Sequence, residues 1–236
     1  MVKFIESELM QLRSEVYQMW TLVYNQMDQA RLAVLGLDKD IAQQVIVRER
    51  RVDAYELKID SDVEDFIALY TPVAVDLRFV LAMLKINNDL ERIGDYADGI
   101  ARFVRDSEGS VLDRSLVERL QLNEMFEGVL DMMRDLQQSL IDENPVKATS
   151  VMDKDDTLDR IKAASTGILV DYASSHTDAI ALCMGLAGVF RKLERTGDHL
   201  TNIAEEIVFF IDAKVLKHTS ADTGRQSSAD GHATGN

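Results

Sequence analysis

The hexapeptide Leu90-Glu91-Arg92-Ile93-Gly94-Asp95 recurs as Leu193-Glu194-Arg195-Thr196-Gly197-Asp198, each copy inside an amphipathic stretch of helical spacing. A long-range repeat constrains the fold more tightly than composition does, because it implies one structural unit used twice. Ala42, Val45, Glu49, Val52 and Asp53 match Ala148, Val151, Asp155, Leu158 and Asp159 at a constant offset of 106 (148 − 42). The hexapeptides are offset by 103 (194 − 91), so three residues are lost where Thr71-Pro72 corresponds to Thr177-Asp178. A change of offset confined to a turn is the mark of a duplicated three-helix unit.

Six helical stretches are predicted. The first runs from about Phe4 to Leu35, and the second from after Asp38 to about Tyr70, where Thr71-Pro72 interrupts it. The third covers about Val73 to Arg105 and the fourth about Leu112 to Ile141. Asn144-Pro145, a cap followed by proline at the first helical position, opens the fifth, which ends near Ser174-Ser175. The sixth spans about Asp178 to Lys217. Apolar residues in the third and sixth alternate at three and four, as Ile86, Leu90, Ile93, Ala97, Ile100 and Val104 do, which suits helices packed nearly parallel in a bundle. The predicted fold is all-α, with two tandem three-helix bundles over residues 1–107 and 111–217. Residues 218–236 carry no large apolar side chain and are expected to form a disordered tail.

Two prolines and 6% aromatic residues agree with an all-helical chain, and 46% hydrophobic residues suffice for a core. The lone Cys183 excludes an internal disulfide and fits a reducing compartment. The start of the chain is acidic too early for a secretory signal, and the run Ala179 to Phe190 is too short to span a bilayer. These features make the expected location cytoplasmic. A net charge of −15 opposes binding to nucleic acid or to anionic headgroups and favours cations or a basic protein surface.

At about 100° per residue, Glu91, Asp95 and Asp98 fall on one stripe, as do Glu194, Asp198, Thr201 and Glu205. Glu49, Asp53, Glu56 and Asp60 form a stripe on the second helix, and Asp155 and Asp159 repeat its first pair. Acids four apart on a helix repel, costing a few tenths of a kcal/mol unless a cation lies between them. With 41 acidic residues in 236, chance alone supplies roughly seven such pairs, so one pair carries no weight. Two pairs per half at repeat-equivalent positions are a different matter. Antiparallel neighbours would set four carboxylates across each groove, a donor set suited to Mg²⁺, Ca²⁺ or Mn²⁺, or to carboxylate-bridged iron or zinc. Gly94 and Gly197 stand mid-helix, where glycine costs about 1 kcal/mol; close helix packing or room beside the acids would account for them.

The duplicated Glu-Arg-x-Gly-Asp helix, the paired [Glu/Asp]-x-x-x-Asp motifs, the Pro72-x-x-x-Asp76-Leu77-Arg78 helix start and Asn202-Ile203-Ala204-Glu205 together resemble the PhoU family. That family comprises phosphate-transport accessory proteins that negatively regulate the bacterial phosphate regulon. The resemblance covers about Phe4 to Lys217; Thr196, in place of isoleucine, and the polar tail depart from it. It implies two similar three-helix bundles, a homodimer, and surface metal clusters of unspecified identity. The implied ligands are Glu49, Asp53, Glu91 and Asp95 in the first half, and Asp155, Asp159, Glu194 and Asp198 in the second. The implied partners are the ATPase subunit of the phosphate ABC transporter and the phosphate sensor histidine kinase. The protein would then act at the inner face of the membrane without inserting into it.

The rival expectations are a bundle of the same build serving another partner, and a carboxylate-bridged metalloenzyme. Di-iron bundles bring Glu-x-x-His, yet no acid stands three residues before His176, His199, His218 or His232. No Gly-rich phosphate loop or Ser-His-Asp order is present either. A non-enzymatic regulator is therefore expected.

Overall fold

The computed structural model describes residues 2–107 and 112–213. Its elements are helices α1 (Val2–Gly36), α2 (Lys39–Tyr70), α3 (Ala74–Asp106), α4 (Arg114–Leu120), α5 (Leu122–Asp142), α6 (Pro145–Thr149), α7 (Met152–Ser175) and α8 (Ile180–Asp212), with a 3₁₀ turn at Thr177–Ala179. Helices α1 to α3 form one three-helix unit; α4 with α5, α6 with α7, and α8 form the second. No strand occurs among the described residues, and no helix there is long and apolar enough to cross a membrane. The expected tail, residues 218–236, lies outside the described residues.

Local chemistry places the helix ends. Asp38 caps α2 by accepting from the amides of Asp40 and Ile41, and Asn144 caps α6 from Val146 and Lys147, with Pro145 following it. Helix α2 stops at Thr71, which adopts φ 46° ahead of Pro72.

Two of the six expected helices are divided. Gln121 takes the left-handed conformation (φ 51°) and separates α4 from α5. The reason lies in the core: Leu116, Leu120, Leu122, Met125 and Phe126 are all buried. In one unbroken helix Leu120 and Leu122 would point about 200° apart, so the dislocation lets both enter the same core. Between α6 and α7 the chain tightens for one turn, Val151 N donating to Ala148 O at 3.2 Å, which brings both Ala148 and Val151 inside.

Repeat-equivalent apolar residues occupy equivalent depths, as Ala42 and Ala148, Val45 and Val151, and Val52 and Leu158 show. Correspondence extends into the first helices at offset 106, where Met19, Trp20, Val23 and Met27 match Met125, Phe126, Val129 and Met133, all fully buried. Full burial of a side chain of this size contributes about 1.5–3 kcal/mol. Thr196 stands where the first copy has Ile93; it is fully buried and its hydroxyl donates to Lys192 O at 2.9 Å, so the polar group is satisfied.

The two units share one continuous core. Their junction is made by α3 against α8 and α1 against α5. Lys85 pairs with Glu206 at 2.8 Å, Tyr96 lies against His199, and the Phe103 ring packs onto Gly185, a series that makes α3 and α8 antiparallel. Tyr96 and His199 are themselves repeat-equivalent (199 − 96 = 103). Equivalent residues meet only on the axis relating the units, so a pseudo-twofold passes through this crossing. Across the other seam Trp20 Nε1 donates to Met133 O at 3.2 Å.

The crossing makes a stability prediction. A Cβ at Gly185 would overlap the Phe103 ring, whereas a Cβ at Gly188, one turn on, meets no heavy atom within 4 Å. Gly185→Ala is expected to destabilise the protein by about 1–3 kcal/mol in denaturant unfolding. Gly188→Ala should stabilise it by up to about 1 kcal/mol through helix propensity. Equal effects at the two positions would disprove close packing at the crossing.

Candidate metal centre

Each acidic groove lies between the outer helix of a unit and its junction helix: α2 with α3, and α7 with α8. The glycines explain how the groove closes. A Cβ at Gly94 would lie 3.4 Å from Glu49 Oε1 and 3.1 Å from Val52 Cγ1. At Gly197 the equivalent Cβ would overlap Asp155 Oδ1, with Leu158 Cδ1 at 3.2 Å. In both halves, then, the first acid of the outer helix lies over the glycine of the repeated hexapeptide. At Gly197 a side chain would displace the Asp155 carboxylate, and at Gly94 it would press on Val52 and close the space beside Glu49.

The eight predicted residues divide by depth. Glu49, Glu91, Asp155, Glu194 and Asp198 are half-buried, while Asp53, Asp95 and Asp159 are exposed. Burial pushes Glu49 up to about 7; Gln26 opposes the shift through its hydrogen bond, and the charges of Asp98, Asp53 and Asp95 add to it. Burial likewise pushes Asp155 up to about 7, reinforced by the charges of Asp159, Asp198 and Glu194. Glu91 is raised by burial and by Asp95, and Asp198 by burial and by Glu194. The fold therefore gathers both predicted quartets into mutual electrostatic range.

It does not converge them into ligand geometry. Among the described residues no three of His, Cys, Asp and Glu approach closely enough to hold an ion. Repulsion and local cations account for the spread: Arg92 Nη1 takes Asp95 at 3.3 Å, Arg195 Nη1 takes Asp198 at 3.2 Å, and Lys162 Nζ takes Glu194 at 3.3 Å. The donor set of the first groove nonetheless suits a hard cation. Glu49 Oε1 and Asp98 Oδ1 are buried and have no hydrogen-bond partner among the described residues. A buried acceptor left bare is costly, and a cation would satisfy it.

Three participants escape a reading by motif alone. Gln26, fully buried on α1, donates from Nε2 to Glu49 Oε2 at 2.8 Å. Its signal in the sequence is one amide amid the apolar stripe Met19, Trp20, Val23 and Met27. Asp98, projected onto the stripe of Glu91 and Asp95 but not among the predicted ligands, is only 8% exposed and holds Arg102 Nε at 2.5 Å through Oδ2. Lys162 is the third. Glu205, projected beside Asp198, instead lines a groove with Lys85, Asp89 and Asn202 on the α3 side.

Carboxyls with raised folded values bind protons more tightly in the folded chain than in the unfolded one. Their contribution to stability is complete below the ordinary carboxylate range, about 4, and is lost as pH rises through about 7. In chelator-treated buffer the melting temperature should therefore rise on acidification from about pH 7.5 to about pH 5.5. Glu49→Gln combined with Asp155→Asn should flatten that slope; an unchanged slope would refute the assignment.

A PhoU domain model matches residues 16–104 and again 122–207, the two repeat units. The chain is 32% identical over 215 residues to the phosphate-specific transport system accessory protein PhoU homolog of Zymomonas mobilis, covering 91% of this chain and 90% of the relative. A PhoU homolog of Thermotoga maritima is 29% identical over 213 residues, 90% of each chain. The crystal structure of PhoU from Pseudomonas aeruginosa superimposes with a TM-score of 0.83 at 29% identity, covering 89% of this chain and 99% of that one. The regulatory protein PhoU of the Streptococcus pneumoniae phosphate transport system gives 0.79 at 25% identity, covering 90% and 99%. With both domain matches falling on the two units that carry the duplicated acid-over-glycine groove, the chain belongs to the PhoU family.

Proposed function

We propose that this chain is a non-enzymatic regulator of phosphate uptake, linking the ATPase subunit of a phosphate ABC transporter to the phosphate sensor histidine kinase. The observation that carries the reading is the PhoU domain matched over both halves, in relatives named as accessory or regulatory proteins of phosphate transport. The build agrees with docking rather than turnover. Asp53, Asp95 and Asp159 are exposed along the grooves between the outer and junction helices, where a partner can reach them. With phosphate plentiful, the regulator would hold the kinase from activating its regulon and restrain uptake, acting at the membrane through these protein partners.

The carboxylates have a supporting part. Glu49, Asp53, Glu91 and Asp95 would hold a cation between α2 and α3, and Asp155, Asp159, Glu194 and Asp198 another between α7 and α8. A bound cation would cancel repulsion among these acids and tie each outer helix to its junction helix. Gln26 orients Glu49 in that arrangement, and Gly94 and Gly197 leave its acids room.

Deleting the gene should leave phosphate-regulated genes switched on in phosphate-rich medium, read by transcript levels. Full repression in the deletion strain would sink the regulatory reading. Metal analysis of the purified protein beside an Asp95→Ala, Asp198→Ala double variant tests the cation part separately. The variant should lose metal, its affinity falling by at least about 10–100-fold. Equal metal content in both proteins would remove the cation assignment and leave the regulator standing.

A further inference from the structure

The two grooves are built on one plan, and their differences fall at matched positions. At offset 106 the α2 residues Glu56 and Asp60 correspond to Lys162 and Thr166 of α7. At offset 103 the α3 residues Asn87 and Asp98 correspond to Phe190 and Thr201 of α8, and Gln26 on α1 corresponds to Met132. The first groove thus has three further acids beyond its quartet, and two buried amides that hold acids in place. Asn87 Nδ2 donates to Asp60 Oδ1 at 2.8 Å, and Gln26 Nε2 to Glu49 Oε2 at 2.8 Å.

Both grooves have an arginine of the junction helix on their acids, Arg92 on Glu91 and Asp95 and Arg195 on Asp198, and Arg102 of α3 takes one oxygen of Asp98. The second groove adds a lysine from its outer helix where the first has the acid Glu56. Lys162 Nζ lies 3.3 Å from Glu194 Oε1, on one of the four predicted ligands. Asp156 adds a negative charge beside Asp155. It corresponds to Arg50, however, and is exposed. Buried polar atoms divide the same way. In the first groove Asp98 is 8% exposed with Oδ1 unpartnered, Gln26 is fully buried with Oε1 unpartnered, and Glu49 Oε1 is bare, all among the described residues. No groove acid of α7 or α8 leaves a buried oxygen without a partner among the described residues. An ammonium group on a ligand carboxylate must be displaced before a metal can take that oxygen, whereas unsatisfied oxygens favour the metal outright.

We infer that the grooves are unequal cation sites: the α2–α3 groove is the tight one, and the α7–α8 groove is weakened by Lys162 acting as its resident counter-ion. The inference rests on the reading that these carboxylates bind cations, and it adds which groove fills first. A regulator of this build would carry its tight cation in the first unit. The second unit would respond to cation concentration.

Mn²⁺ binding to the full-length chain tests this, with helical circular dichroism verifying that each variant is folded. Wild type should show a tight and a weak class separated by at least about tenfold. Glu49→Gln with Asp95→Asn should abolish the tight class, and Asp155→Asn with Asp198→Asn only the weak one. Lys162→Glu should tighten the weak class by about tenfold, and Lys162→Gln should do so by a smaller factor. A single class of equal affinities in wild type overturns the inequality while leaving cation binding intact. Loss of the tight class in the Asp155/Asp198 variant, or no change in folded Lys162→Glu, overturns it as well. Absence of any Mn²⁺ binding to wild type removes the cation reading and the inequality together.

Discussion

Helix α3 must pack against three helices at once, and α8 repeats the task in the second unit. Helix α3 touches α1 and α2 within its own unit and α8 across the junction. Such crowding is tolerated only where side chains vanish or interlock. Gly94 leaves room for Val52 and Glu49 of α2, and Gly185 of α8 gives way to the Phe103 ring of α3. The leucines, isoleucines and alanines between them fill the core common to both units. Because interiors are close-packed, moving either junction helix would disturb the acidic grooves and the core together.

This economy gives the repeated hexapeptide two roles on one helix turn. Leu90 and Ile93, like Leu193 and Thr196, are fully buried. Glu91 with Asp95, and Glu194 with Asp198, face the groove, and the intervening arginine holds the second acid. The glycine between them lets the outer helix set its own carboxylate down on the backbone. A half-buried carboxylate with few donors is a strained arrangement, and Glu49 and Asp155 register it in their raised proton affinity. The first unit relieves part of the strain through Gln26, and the second sets Lys162 on Glu194 instead.

Much of the fold was legible before any coordinates. The capping residues Asp38 and Asn144, the Thr71-Pro72 turn and the two repeat offsets act over a few residues, and the structure keeps all of them. The division at Gln121 was not legible, since nothing local forbids a continuous helix there. Only the demand that Leu120 and Leu122 share one core breaks it. The depth of Asp98 was not legible for a related reason. A helical projection says which residues share a face, but not which neighbour will cover that face.

By itself, then, the sequence determined the duplication, the helical class, the pairing of acids four apart and the likeness to the PhoU family, because each follows from spacing along one chain. Tertiary structure decided the rest. It set α3 against α8 so that Tyr96 meets His199 on the pseudo-twofold, laid Glu49 and Asp155 over their glycines, and brought Gln26 and Lys162 to acids 23 and 32 residues away. Electrostatic and packing energies depend on distance through space, so the charge of a groove and the partner of each acid are settled only when the helices assemble.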